Sequence, residues 1–75
     1  MAAKCSSGVN EELRLQVEDA KAALRRGSCS QAKRHARNAS DLMSASRCTP
    51  PRNLARYIGK MKRAFKAKCG LIRRR

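Results

Sequence analysis

The residues best suited to catalysis or metal binding in this 75-residue chain are four cysteines, one histidine and five acidic residues. No Cys-x-x-Cys pair is present, and His35 has no cysteine at the spacing of a zinc site. We therefore expect no metal site and no cofactor. No motif joins a serine to a histidine and a carboxylate, and there is no glycine-rich phosphate loop. With so short a chain, these features predict that the protein is not an enzyme.

Lysine and arginine supply the remaining chemistry. The chain holds 19 of them against 5 acidic residues, a formal charge of +14, whereas solubility of a small domain needs a charge of roughly 2–8. Residues 1–24 carry three basic and four acidic residues, and residues 25–75 carry the other sixteen basic residues against Asp41 alone. Such asymmetry indicates contact with nucleic acid or another acidic surface.

The first of three amphipathic segments is nearly neutral. Asn10 is a suitable helix N-cap, and Gly27 is placed to adopt the left-handed conformation that ends a helix. Between them lies an apolar stripe at helical spacing: Leu13, Val17, Ala20 and Leu24. We expect a helix over about 10–26, preceded by a flexible arm over 1–9.

The second segment repeats the stripe with small side chains. Ser28 and Gln31 fit a Ser-x-x-Gln capping box. The stripe itself is Ala32, Ala36, Ala39 and Met43. The three alanines permit close approach, so we expect a helix over about 29–47 that forms an antiparallel hairpin with the first.

The hairpin has a local resemblance to a known family. Its small and apolar positions over about twenty-five residues are Ala23, Leu24, Gly27, Ala32 and Ala39. This spacing resembles that of a tetratricopeptide helical hairpin. The resemblance implies a shared hairpin geometry and no function.

The third segment is the most basic. Thr49 precedes two prolines, which end the second helix, and it can cap a third helix over about 51–69. The apolar stripe is again helical: Leu54, Ile58, Met61 and Phe65. At 100° per residue the opposite face is a cationic ridge roughly 20 Å long, formed by Arg52, Arg56, Lys60, Arg63 and Lys66. A basic tail over 71–75 extends it with Arg73, Arg74 and Arg75.

These segments predict an all-α fold. It is a small three-helix arrangement, an antiparallel helical hairpin plus a docked basic third helix, in a single domain over 10–70 without strands. The third helix, running antiparallel to the second, would bring Cys29 and Cys69 to one end of the bundle. A disulfide bond there would stabilise the small core by cross-linking it. No signal peptide is evident, so we expect a cytoplasmic protein, or a host-cytoplasmic one if phage-encoded, with free thiols.

The leading functional hypothesis is a small non-enzymatic protein that binds the phosphates of DNA or structured RNA, either alone or as a component of a larger nucleoprotein assembly. The contacting residues would be those of the cationic ridge and the tail, with Lys33, Arg34 and Arg37 extending the footprint from the second helix. Asn53 is a weaker candidate for contact with an adenine edge. Tyr57 is predicted as a residue at the core boundary rather than a base-stacking residue.

The competing hypothesis is an adaptor or inhibitor that binds an acidic protein surface, such as a phage-encoded modulator of a host complex. In that case a mixed-charge face of the first helix could share the interface: Glu11, Arg14, Glu18 and Lys21. No membrane association is expected. A monomer is slightly favoured over a homodimer or larger complex, although the apolar core is lean for a chain of this size.

Overall fold

The computed structural model of the protein describes residues 3–70, so residues 1, 2 and 71–75, with the predicted Arg73, Arg74 and Arg75 tail, lie outside it. A two-residue strand β1 (Ala3–Lys4) precedes helices α1 (Ser7–Arg25) and α2 (Cys29–Ser46). A second short strand β2 (Cys48–Thr49) leads into α3 (Arg52–Phe65), which continues into a π-helical turn (Lys66–Gly70). The three helices confirm the predicted all-α arrangement.

The N-terminal segment belongs to the fold from Ala3 onward, contrary to the expected flexible arm. β1 pairs in parallel with β2, and the Cys5 N–H donates to the carbonyl oxygen of Thr49 at 3.1 Å. Ser6, not Asn10, is the N-cap of α1, and its Oγ accepts a hydrogen bond from the Val9 N–H at 3.3 Å. Strands of two residues have no periodicity to detect, which is why the sequence showed no strand.

The turn between α1 and α2 confirms the role of Gly27, whose φ is 79°. The Gly27 N–H donates to the Leu24 carbonyl (3.0 Å) and the Ser28 N–H to the Ala23 carbonyl (2.8 Å), the pair of bonds that defines a Schellman motif. The expected capping box is not formed, because the Ser28 N–H that Gln31 would accept from is already engaged. Gln31 Oε1 instead accepts from Arg26 Nη2 at 2.7 Å.

The start of α3 also differs from expectation. Thr49 lies in β2 and does not cap the helix; Pro51 is the N-cap, and its side chain forms no capping hydrogen bond. Between α2 and β2, Arg47 takes a left-handed conformation with a φ of 50°. The α-helical part of the third segment ends at Phe65, and the remainder is the π-helical turn.

The core consists of two small clusters. In the larger, α1 and α3 supply most of the buried side chains, with Ala39 from α2: Leu13, Val17, Ala20, Ala39, Leu54, Ile58 and Met61. The smaller surrounds the end of α1: Ala23, Leu24, Ala32 and Cys69. The stripes predicted for α1 and α3 therefore face the core, although Phe65 is only half-buried. On α2, Ala36 and Met43 are also only half-buried.

Two disulfides close opposite ends of the bundle. Cys29 bonds to Cys69, at the end predicted for that pair, and Cys5 bonds to Cys48 beside the strand pair. The expectation of free thiols is therefore wrong: all four cysteines are bonded. Helix ends meet at both ends of an antiparallel bundle, and this placement brings each pair together.

Candidate nucleic-acid interface

The orientation of α3 determines which of its basic residues reach solvent. Its apolar stripe is buried at Leu54, Ile58 and Met61. The opposite face is exposed over a helix of 14 residues, or about 21 Å at 1.5 Å per residue. Three predicted binding residues, all exposed, line one shallow depression of about 360 Å³ together with two uncharged neighbours: Arg56, Lys60 and Arg63, with Asn53 and Tyr57.

Lys21 of α1 contacts Tyr57, one of the residues that line this depression, and was not among the predicted binding residues. Its Nζ lies 4.6 Å from the centroid of the Tyr57 ring, within the range of a cation–π interaction. Tyr57 is half-buried and packs against the larger core cluster. A signal was present in the sequence, because Lys21 lies four residues after Val17 and three before Leu24 and so borders the apolar stripe of α1.

The three predicted residues of α2 form a second basic patch. Lys33, Arg34 and Arg37 are exposed. They line a depression of about 390 Å³ with Ser30 and Asn38. Lys33 and Ser30 also line an adjoining depression of about 260 Å³ whose other walls are Cys29, Phe65, Cys69 and Gly70. The α2 patch therefore extends to the disulfide at that end of the bundle.

Two further predicted residues, Arg52 and Lys66, line neither of these two depressions. Arg52 lies beside the strand pair, where it lines a depression of about 510 Å³ together with Lys4 and with Thr49, Pro50 and Pro51. Lys66 is exposed in the π-helical turn. Arg73, Arg74 and Arg75 fall outside the described residues. The single ridge predicted from the sequence is thus centred on Arg56, Lys60 and Arg63.

His35 connects two helices, and one acidic residue, Glu12, is hydrogen-bonded within α1. His35 is half-buried, and its Nδ1 donates to Gln16 Oε1 at 2.8 Å, joining α2 to α1. Gln16 Nε2 in turn donates to Glu12 Oε2 at 3.0 Å. Over residues 3–70, no group of three or more histidine, cysteine or acidic side chains is arranged to hold a metal ion.

No helix within the described part of the chain combines the length and apolar character needed to cross a lipid bilayer. Compared with known proteins, the chain matches no family model, no curated protein and no solved structure.

Proposed function

We propose that the protein binds nucleic acid through the phosphate backbone, without enzymatic activity, and that the α3 depression is the main contact. The observation that carries this proposal is the convergence of Arg56, Lys60 and Arg63 on one exposed depression. No acidic residue occurs anywhere in residues 52–75 to compete for those cations. Release of the counterions condensed on the nucleic acid would drive binding, with one contribution from each neutralised phosphate.

The environment of Tyr57 favours phosphate contact over base stacking. Lys21 covers the ring, and the half-buried side chain packs against the core. Stacking on a single-stranded base requires an exposed aromatic face. Tyr57 is the only tyrosine and Phe65 the only phenylalanine, with no tryptophan in the chain, and Phe65 is also half-buried. A DNA duplex or a structured RNA, whose phosphates face outward, is therefore a better ligand than a single strand.

The test compares the wild type with the Arg56→Glu/Arg63→Glu variant. Binding to a labelled 20-base-pair DNA duplex and to an RNA hairpin of similar length is measured by fluorescence anisotropy at several salt concentrations. We expect a slope of log affinity against log salt of about −3 for the three α3 contacts on duplex DNA, falling toward −5 if the α2 patch also contributes. The variant should lose about 100-fold in affinity or more, because two attractions become repulsions.

A matched control separates a located site from bulk charge. Lys4→Glu/Arg26→Glu changes two exposed residues outside the α3 depression. Because each change removes two charges, both variants carry a formal charge of +10 instead of +14. We expect the control to keep most of its affinity. Equal losses of affinity in the two variants, or an affinity that does not change with salt concentration, would refute a phosphate site on α3.

Recovery of binding partners from nuclease-treated lysate distinguishes nucleic-acid binding from the adaptor hypothesis, in which the ligand is an acidic protein. If nucleic acid is the ligand, nuclease removes every partner that depends on Arg56 and Arg63. A single protein that stays bound after nuclease treatment, and is lost with the same double variant, would instead identify an acidic protein surface as the ligand of the same cations.

The two disulfides bear on where binding would take place. Such bonds persist in oxidising compartments and are rare in cytosolic proteins. They therefore favour an oxidising location over the cytoplasm predicted from the sequence. Binding assays should accordingly use the oxidised protein, with both Cys5–Cys48 and Cys29–Cys69 intact.

A further inference from the structure

The outer face of α1 carries one large apolar side chain that the fold leaves uncovered. Leu15 is 48% exposed, the one exposed large hydrophobic residue within residues 3–70. On a helix surface its neighbours are the residues three and four positions away in each direction. All four are carboxylates, and all four are exposed: Glu11, Glu12, Glu18 and Asp19. This acidic knob, Leu15 with its four carboxylates, contains every acidic residue of the chain except Asp41.

The opposite chemistry lies on another part of the same molecule. The depression of about 260 Å³ between α2 and the π-helical turn has apolar walls from Cys29, Phe65 and Cys69, and Lys33 lies at its edge. Lys33 and Ser30 also line the neighbouring depression that holds Arg34 and Arg37. We call these two adjoining depressions the basic socket. It has the two components that an acidic knob requires, an apolar recess and a cationic rim.

We propose that the acidic knob of one copy docks in the basic socket of a second copy. Leu15 enters the apolar recess, and the carboxylates around it face Lys33, Arg34 and Arg37. The two surfaces belong to different helices and differ from each other, so the contact is heterologous and can propagate from copy to copy. The partner is a second copy because this chain itself supplies both halves, matched in charge and in polarity.

The net charge of the molecule makes such docking specific. Two copies with a formal charge of +14 each repel one another as a whole. Attraction therefore arises only where the acidic knob meets a cationic surface. The α3 depression is also cationic, but the basic socket adds apolar walls from Cys29, Phe65 and Cys69 that can receive Leu15. This inference does not depend on nucleic-acid binding, and its test contains no nucleic acid. The proposed docking predicts self-association, whereas the sequence slightly favoured a monomer.

A charge-swap experiment tests the contact directly. The knob variant Glu11→Lys/Glu18→Lys has a knob without net charge and keeps the basic socket, because Glu12 and Asp19 remain. The socket variant Arg34→Glu/Arg37→Glu keeps the acidic knob and has a socket with a net negative charge. Sedimentation equilibrium of the oxidised wild type should show a weight-average mass rising above 8.3 kDa with concentration. Each variant alone should stay at the monomer mass. An equimolar mixture should regain association as a one-to-one pair, since the intact acidic knob of the socket variant can dock in the intact basic socket of the knob variant.

The mixture also rules out attraction by bulk charge. The knob variant carries +18 and the socket variant +10, so the mixed proteins repel unless the knob and socket meet. Circular dichroism should show unchanged helicity in both variants, whose altered residues are all exposed. Leu15→Ser should weaken association about 10-fold, and Leu15→Met should retain it. A wild type that stays monomeric into the millimolar range, a mixture that fails to associate, or a Leu15→Ser variant equal to wild type would each overturn the proposal.

Discussion

Removing either disulfide should cost the protein much of its stability. The Cys5–Cys48 bond closes a separation of 43 residues and the Cys29–Cys69 bond one of 40. Loop-closure entropy of the unfolded chain then gives a stabilisation of about 4 kcal/mol for each bond. A domain of this length has a free energy of unfolding of about 4–11 kcal/mol in total. The double changes Cys5→Ala/Cys48→Ala and Cys29→Ala/Cys69→Ala should therefore leave proteins that are close to the folding threshold.

Urea unfolding followed by far-UV circular dichroism measures the effect. With a slope of about 1–2 kcal/mol per molar urea for a small domain, loss of one bond should lower the midpoint by about 2–4 M. Alanine is preferred over serine because Cys5 and Cys69 are buried, 8% and 6% exposed, where a hydroxyl would need a partner. A reductant should lower the wild-type midpoint further than either double change does, because it opens both bonds. If either double variant keeps the wild-type midpoint, the corresponding bond does not stabilise the fold and the loop-closure argument is refuted.

Two further predictions concern single positions. Gly27→Ala should destabilise the protein by about 1–2 kcal/mol in urea titrations, since a φ of 79° is strained for alanine. Gly59→Ala should instead stabilise it by about 0.5–1 kcal/mol, because Gly59 lies in the interior of α3 with open space around it. Equal effects of the two changes on the free energy of unfolding would contradict the backbone argument. A double-mutant cycle of Lys21→Met and Tyr57→Leu should give a coupling energy of about 0.5–1 kcal/mol, and additive effects would show that the Lys21 ammonium does not interact with the Tyr57 ring.

The helices were predictable because periodicity and helix-terminating residues both mark them. The stripe from Leu13 to Leu24 faces the core as expected, and Gly27 takes the left-handed conformation that its position after the stripe predicted. The start of α1 was less predictable. Asn10 and Ser6 are both good caps, and the choice between them is made by the pairing of β1 with β2, a tertiary contact that leaves no local pattern.

The sequence predicted which basic residues of α3 are exposed, but not how they lie relative to residues of the other elements. A helical wheel correctly exposes Arg56, Lys60 and Arg63, because it needs only the position of the apolar stripe. It cannot show that Arg52 lies with Lys4 beside the strand pair. Nor can it show that Lys21 of α1 reaches Tyr57 of α3. These relations depend on how helices pack against each other, which one helix's periodicity does not contain.

Cysteine pairing illustrates the same limit. Antiparallel packing predicted that Cys29 and Cys69 would meet, because both lie at helix ends. Cys5 could not be placed while the N-terminal segment was expected to be a flexible arm. Its bond to Cys48 depends on the strand pair that brings Ala3 opposite Cys48. The free-thiol expectation followed from the supposed compartment rather than from geometry, and geometry was the better guide.

The positions of the two disulfides explain how the basic helix is held in place. Cys48 lies four residues before the first residue of α3, and Cys69 lies four residues after its last. Both ends of α3 are therefore covalently fastened to the rest of the bundle, although its buried face offers only Leu54, Ile58 and Met61. Like charges along Arg56, Lys60 and Arg63 repel one another within this helix, and the cross-links at its two ends offset that repulsion. A cationic face fixed in advance loses less conformational entropy on binding a polyanion. Opening either disulfide should thus weaken binding by loosening α3, even though no cysteine lines the α3 depression.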